Sequence, residues 1–96
     1  MDLLVTYDIG VPDPAGQRRL AAVAKVCEGF GVRVQYSVFE CRLSPARYEE
    51  FLGELLDVID PDQDVVHLYH FPGDLAGARR VLGRQRDISI EGPWLA

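Results

Sequence analysis

Val32–Leu43 reads VRVQYSVFECRL, a run of β-branched and aromatic residues that favours extended backbone. Its twelve residues exceed the usual strand. Two readings stay open: one bent strand, or two strands broken near Gln35-Tyr36-Ser37. Upstream, Leu20, Val23, Cys27 and Phe30 recur at helical spacing with Val26 beside them, opposite a stripe of Arg18, Ala22, Lys25 and Gly29. Asp13 before Pro14 supplies an N-cap and a proline at the first helical position, and Gly31 is placed to cap the other end. Further upstream, Leu3, Val5, Tyr7 and Ile9 alternate with Leu4 and Thr6 in a run that is apolar on nearly both faces, the pattern of a central strand. Asp8 interrupts that run just before Gly10-Val11-Pro12 turns the chain.

Downstream, Ser44-Pro45 opens a second helix in which Tyr48, Phe51, Leu52, Leu55, Leu56 and Ile59 form an apolar stripe, and Pro61 ends it. Val65–Phe71 is a further strand closed by Pro72-Gly73. Ala78 to Leu82 fits either a helical turn or a short strand. Ile88–Ile90 reads as a last strand before Gly92-Pro93-Trp94.

The order β-α-β(β)-α-β predicts an α+β fold, a split βαβ sandwich of the ferredoxin-like type, as a single domain over residues 1–96. Both helices would cover one face of the sheet and leave the other bare. A second copy stacked sheet to sheet would cover that face, and segment 84–96 would add the Ile88–Ile90 strand to the partner's sheet. A homodimer is therefore expected.

The 96 residues suffice for one core, and 48% apolar with 26% charged residues match an ordinary globular protein with no run long enough for a membrane span. Asp2 ahead of the first apolar residues makes this segment a strand rather than a signal peptide, so a cytoplasmic location is expected. Cys27 and Cys41 show neither zinc spacing nor a disulfide framework and read as buried core. A net charge of −5 argues against coating nucleic acid over the whole surface. The charge is unevenly spread. Glu49 to Asp64 holds seven acids and no Lys or Arg, whereas Arg79, Arg80, Arg84 and Arg86 fall within eight positions. One face could meet phosphates while another repels them, or the whole is a solvated mosaic.

There is no Gly-rich phosphate loop, metalloprotease motif, nucleophile elbow or RNA-recognition aromatic motif. His67 and His70, three apart in a strand, face opposite ways and cannot chelate one ion. Asp8 stands out because ligand sites gather at strand ends. The alternative is a turn-forming aspartate bonding its own loop. One carboxylate is a poor Mg²⁺ site, but two copies of Asp8 meeting across a dimer axis would remove that difficulty. An ion there would suit water activation against a phosphodiester. Glu40 is another acid on the extended run, with nothing in its spacing to require it. Arg33, Arg18 and Arg19 are candidates to clamp flanking phosphates, against the alternative of ordinary surface charge.

Tyr7-Asp8-Ile9, QRRL at Gln17–Leu20 and above all RVQYSVFEC at Arg33–Cys41 resemble the CRISPR-associated small endonuclease family, the smaller, non-integrase subunit of the spacer-acquisition complex. The resemblance covers most of the chain. It implies a homodimer of ferredoxin-like protomers, an Mg²⁺ ion shared by the two Asp8 carboxylates, and nuclease activity on RNA or double-stranded DNA in antiviral defence. By motif it implies roles for Tyr7, Arg19, Arg33 and Phe39. Some members carry a further helix arginine where this chain has Gln17, which leaves the role of Arg18 open. The family also serves as a bridge between dimers of the larger integrase subunit. In that setting Glu49–Asp64 would suit a basic protein partner, and the cluster from Arg79 and Arg80 onward would suit DNA backbone.

Overall fold

The computed structural model describes residues 1–10 and 13–83. Its elements are β1 (Asp2–Asp8), α1 (Pro14–Phe30), β2 (Gly31–Gln35), β3 (Val38–Arg42), α2 (Pro45–Val58), β4 (Val65–Phe71) and α3 (Leu75–Ala78). The extended run is thus two strands, turned at Tyr36-Ser37, with an irregularity in register between Arg33 and Gln35. Such an irregularity sharpens local twist and lets a run of strand-forming residues double back. The four strands order as β2-β3-β1-β4, every neighbouring pair antiparallel, which is the expected split βαβ topology.

Both long helices start as the sequence predicts. Asp13 Oδ1 accepts the Gly16 N–H at 2.7 Å and Ser44 Oγ accepts that of Arg47 at 3.2 Å, each followed by a proline that gives up no hydrogen bond there. Gly31 differs from expectation. Its backbone is extended, with φ −163°, so α1 runs straight into β2 without a left-handed cap. The glycine is required by closeness instead: a Cβ there would lie 2.5 Å from both Cys41 Sγ and the Glu40 carbonyl oxygen across the β2–β3 pairing.

α1 and α2 lie on one face of the sheet, over a core of Leu3, Val5, Tyr7, Val23, Cys27, Phe30, Phe39, Cys41, Leu43, Phe51 and Leu55. Leu20 and Leu56, expected in the apolar stripes, are exposed at 42% and 69%. A helical stripe is wider than the strip a four-stranded sheet covers, so its flanks reach solvent. On the other sheet face the alternation places Leu4, Thr6 and Asp8 of β1, Val38, Glu40 and Arg42 of β3, and Val65, His67 and Tyr69 of β4. Among the described residues that face is bare except at one end, where α3 packs against β1. The ambiguous segment near Ala78 resolves as the end of this one-turn helix, with residues 79–82 irregular. The predicted Ile88–Ile90 strand, and segment 84–96 as a whole, lies outside the described residues.

Candidate active site

Asp8 is the last residue of β1, pairs with Val65 of β4, and is exposed on the bare face. Its carboxylate makes no hydrogen bond or ion pair among the described residues. Among the described residues it bonds none of its own loop backbone. The loop is held by a different acid. The N–H of Gly10, two residues beyond Asp8, donates to Asp64 Oδ1 at 3.0 Å.

Asp64 immediately precedes β4, and its side chain is fully buried. Arg19 of α1 donates to it through Nε at 2.8 Å and Nη2 at 3.3 Å, and the same Nη2 donates to the Gly10 carbonyl at 3.3 Å. The Asp60 N–H supplies a further bond at 2.8 Å. The Arg19 guanidinium, then these backbone donors, hold the Asp64 carboxyl below the usual carboxylate range despite its burial. Arg19 is thereby committed inside the chain. Asp64 escaped notice in the sequence as one of seven acids in a row of surface charge. The clue was available: in an antiparallel β1–β4 pair, the residue entering one strand lies beside the exit of the other.

Tyr7, Arg33 and Phe39 come together on the helix-covered face, so alternation along β1 separates them from the Asp8 carboxylate. The Arg33 guanidinium lies 5.1 Å from the Phe39 ring centre, and the Tyr7 and Phe39 rings stack at 6.2 Å. Tyr7 fastens the β2–β3 turn twice, its N–H donating to the Ser37 carbonyl at 3.2 Å and its hydroxyl to that of Tyr36 at 3.3 Å. Burial raises the Tyr7 hydroxyl above its ordinary pKa, and the adjacent Arg33 only partly opposes this. Arg33 also pairs loosely with Glu28 at 3.8 Å, while its Nε is buried with no hydrogen-bond partner.

The remaining candidates are scattered. Arg18 and Arg80 are exposed with no ion pair among the described residues. Arg79 grips Glu40 through Nε and Nη2. Glu40 stands opposite Leu4, four residues along β1 from Asp8, or roughly 13 Å at strand rise, so it does not assist Asp8 of its own chain. His67 lies beside Tyr69 and His70 beside Tyr48 on α2, confirming that they face opposite ways. Burial pushes the thiols of Cys27 and Cys41 up to about 12 and about 11, which leaves neither as a neutral-pH nucleophile.

No group of three or more His, Cys, Asp or Glu side chains capable of holding a metal exists among the described residues. Among those residues, no helix is long and apolar enough to cross a membrane.

Known proteins share this fold. A crystal structure of Streptococcus pyogenes Cas2 at pH 6.5 superposes with a TM-score of 0.78 at 40% identity, covering 86% of this chain and all of that one. A protein of Chlorobaculum tepidum named CRISPR-associated endoribonuclease Cas2 is 39% identical over 96% of each chain. A protein of the same name from Nitratidesulfovibrio vulgaris is 38% identical over 99% of this chain and 93% of its own. With residues 1–76 also matching the family described as CRISPR associated protein Cas2, the chain belongs to that family.

Proposed function

We propose that this chain is a metal-dependent endonuclease of the CRISPR spacer-acquisition machinery, active as a homodimer on phosphodiester bonds of RNA, double-stranded DNA or both. The observation that carries this reading is the exposed Asp8 carboxylate, unengaged among the described residues on a strand end that is otherwise tightly held. Its relatives are named endoribonucleases. A single carboxylate falls short of a magnesium site, so the reading requires two. Asp8 lies on the bare sheet face, with Leu4, Val38, Val65 and Tyr69 along it. Two such faces stacked about a twofold axis near the Asp8 end would bring the two carboxylates together.

In that dimer the two Asp8 side chains would hold one Mg²⁺, whose chemistry is water activation and charge neutralisation at a phosphate. The chain's own part is to fix Asp8 at the end of a paired strand. Exposed Arg18 and Arg80 would offer positive charge to the nucleic-acid backbone, with Arg79 drawn in only where Glu40 releases it. Arg33, half-covered beside Tyr7 and Phe39, would orient the β2–β3 turn. Arg19 would act on phosphate only by leaving Asp64.

A second reading, a non-catalytic bridge to the larger integrase subunit, draws on α2. Its Glu49, Glu54 and Asp57 are exposed and lack ion partners among the described residues, a surface suited to a basic protein. The test compares parent and Asp8→Asn protein on RNA and duplex DNA, with Mg²⁺ or with chelator. Cleavage abolished by both treatments supports the nuclease. Cleavage that survives either one removes the Asp8 metal site. An inactive parent that binds the integrase subunit tightly supports the bridge.

A further inference from the structure

We propose that the Arg19–Asp64 pair is a positioning device for Asp8, and that Arg19 serves catalysis through Asp64 and Gly10 rather than by touching phosphate. The proposal rests on the nuclease reading for its kinetic consequences, while its structural core stands apart from it.

The geometry converges on one residue. Gly10 gives its N–H to Asp64 Oδ1 at 3.0 Å and receives Arg19 Nη2 on its carbonyl at 3.3 Å. Both polar groups of that residue are thus clasped by the two members of one ion pair. The clasp is itself anchored, because Asp64 Oδ2 accepts Arg19 Nε and the Asp60 N–H, each at 2.8 Å. The turn beneath is closed by Asp64 N–H donating to the Asp60 carbonyl at 2.8 Å and Asp60 Oδ1 accepting the Asp62 N–H at 3.0 Å. Gly10 also sits so close to this turn that a Cβ would lie 2.5 Å from the Gln63 carbonyl oxygen.

Asp8 lies between two fixed points. On one side its backbone is paired with Val65, the residue next to Asp64, and on the other the chain is clasped two residues later at Gly10. A carboxylate that must meet its copy across a twofold axis feels any displacement of its strand end twice. The Arg19 side chain is only 17% exposed, and its Nε points to a fully buried carboxylate. Withdrawing it to bind phosphate would strand a buried charge. A guanidinium so placed stabilises the loop better than it captures an incoming anion.

The test uses the full chain with Arg19→Gln, Asp64→Asn and the double substitution. Amide hydrogen exchange is expected to quicken at Gly10 by about tenfold or more in each single variant, with the acceleration confined to the β1 exit and the residue 60–64 turn. In cleavage assays kcat is expected to fall by about 10²-fold in each. The double variant should be no worse than either single one, with KM and the salt dependence of nucleic-acid binding unchanged. A shallower salt slope and weaker binding for Arg19→Gln alone, with Asp64→Asn retaining kcat, would overturn the proposal and return Arg19 to the phosphate contacts. Unchanged Gly10 exchange would overturn it whatever the kinetics. If the parent cleaves neither RNA nor DNA, the nuclease reading fails separately. Exchange then decides the clasp, local acceleration upholding it and uniform acceleration across the sheet overturning it. Should Asp64→Asn fail to fold, Arg19→Gln carries both measurements.

Discussion

Arg42 reaches across from β3 to its cross-strand partner Asp2, Nε donating to Oδ1 at 2.9 Å and Nη2 to Oδ2 at 3.1 Å. The same carboxylate accepts the Leu75 N–H at 2.9 Å, so one acid joins the two central strands to α3. Arg42 first, then Leu75, hold the Asp2 carboxyl at about 2, below its ordinary 3.8. Asp64 is shifted the same way, chiefly by Arg19.

A carboxyl whose pKa is lower in the folded chain contributes stability that is complete above its unfolded pKa and is lost as pH falls through the folded one. For Asp2 that window runs from 3.8 down to about 2. Thermal melts followed by circular dichroism are expected to show a melting temperature that drops across this window. The drop should be shallower in Asp2→Asn, which no longer titrates there, and the acid limb below 3.8 should also flatten in Asp64→Asn. Parallel acid limbs in parent and variants would show that these carboxylates do not set acid stability.

Two glycines are fixed by lack of room rather than by backbone angle. Gly31→Ala would press a methyl against Cys41 Sγ and the Glu40 carbonyl, and Gly10→Ala would press one against the Gln63 carbonyl. Each is expected to cost about 1–3 kcal/mol in chemical denaturation, since backbone on both sides must shift. The two should separate in function. Gly31→Ala strains the β2–β3 edge far from Asp8, whereas Gly10→Ala moves the chain leaving it, so only the latter should lower cleavage more than stability explains.

Much of the fold was legible in the sequence because its signals are local. Asp13-Pro14 and Ser44-Pro45 each carry a capping oxygen and a residue that needs no partner, and both start helices. The break at Tyr36-Ser37 was legible only as one of two readings. Both residues tolerate strands, and the turn depends on Tyr7, which lies 29 positions from Tyr36 in the chain, to hold its carbonyls. Exposure of Leu20 and Leu56 was hidden for a similar reason, since periodicity identifies a face but not the width of what covers it. At the site, Asp8 announced itself by interrupting an apolar strand. The Arg19–Asp64 clasp spans 45 positions and appears only when β1 and β4 are set in register.

Tyr69 is 49% exposed on the bare sheet face, beside Leu4 of β1, and contributes little to the core of its own chain. Tyr69→Glu is expected to leave the circular dichroism and melting temperature nearly unchanged while shifting sedimentation from dimer to monomer, because a charge would have to be buried between stacked sheets. Cleavage should fall with the dimer fraction. A variant that remains dimeric would place the interface on another face.

Mixed dimers separate a site shared by two chains from two sites acting alone. If the active unit needs both Asp8 carboxylates, a subunit carrying Asp8→Asn inactivates any dimer it enters. Equal amounts of parent and Asp8→Asn chains, unfolded together and refolded, pair at random, so about a quarter of the dimers hold two intact copies. Activity per total protein is then expected near that quarter and to follow the square of the parent fraction across a series of ratios. Independent carboxylates would instead give activity proportional to the parent fraction, about half at equal mixing. Refolding the two proteins separately before mixing supplies the control for subunit exchange. The curvature of this series measures whether Asp8 acts as a pair without reference to which nucleic acid is cut.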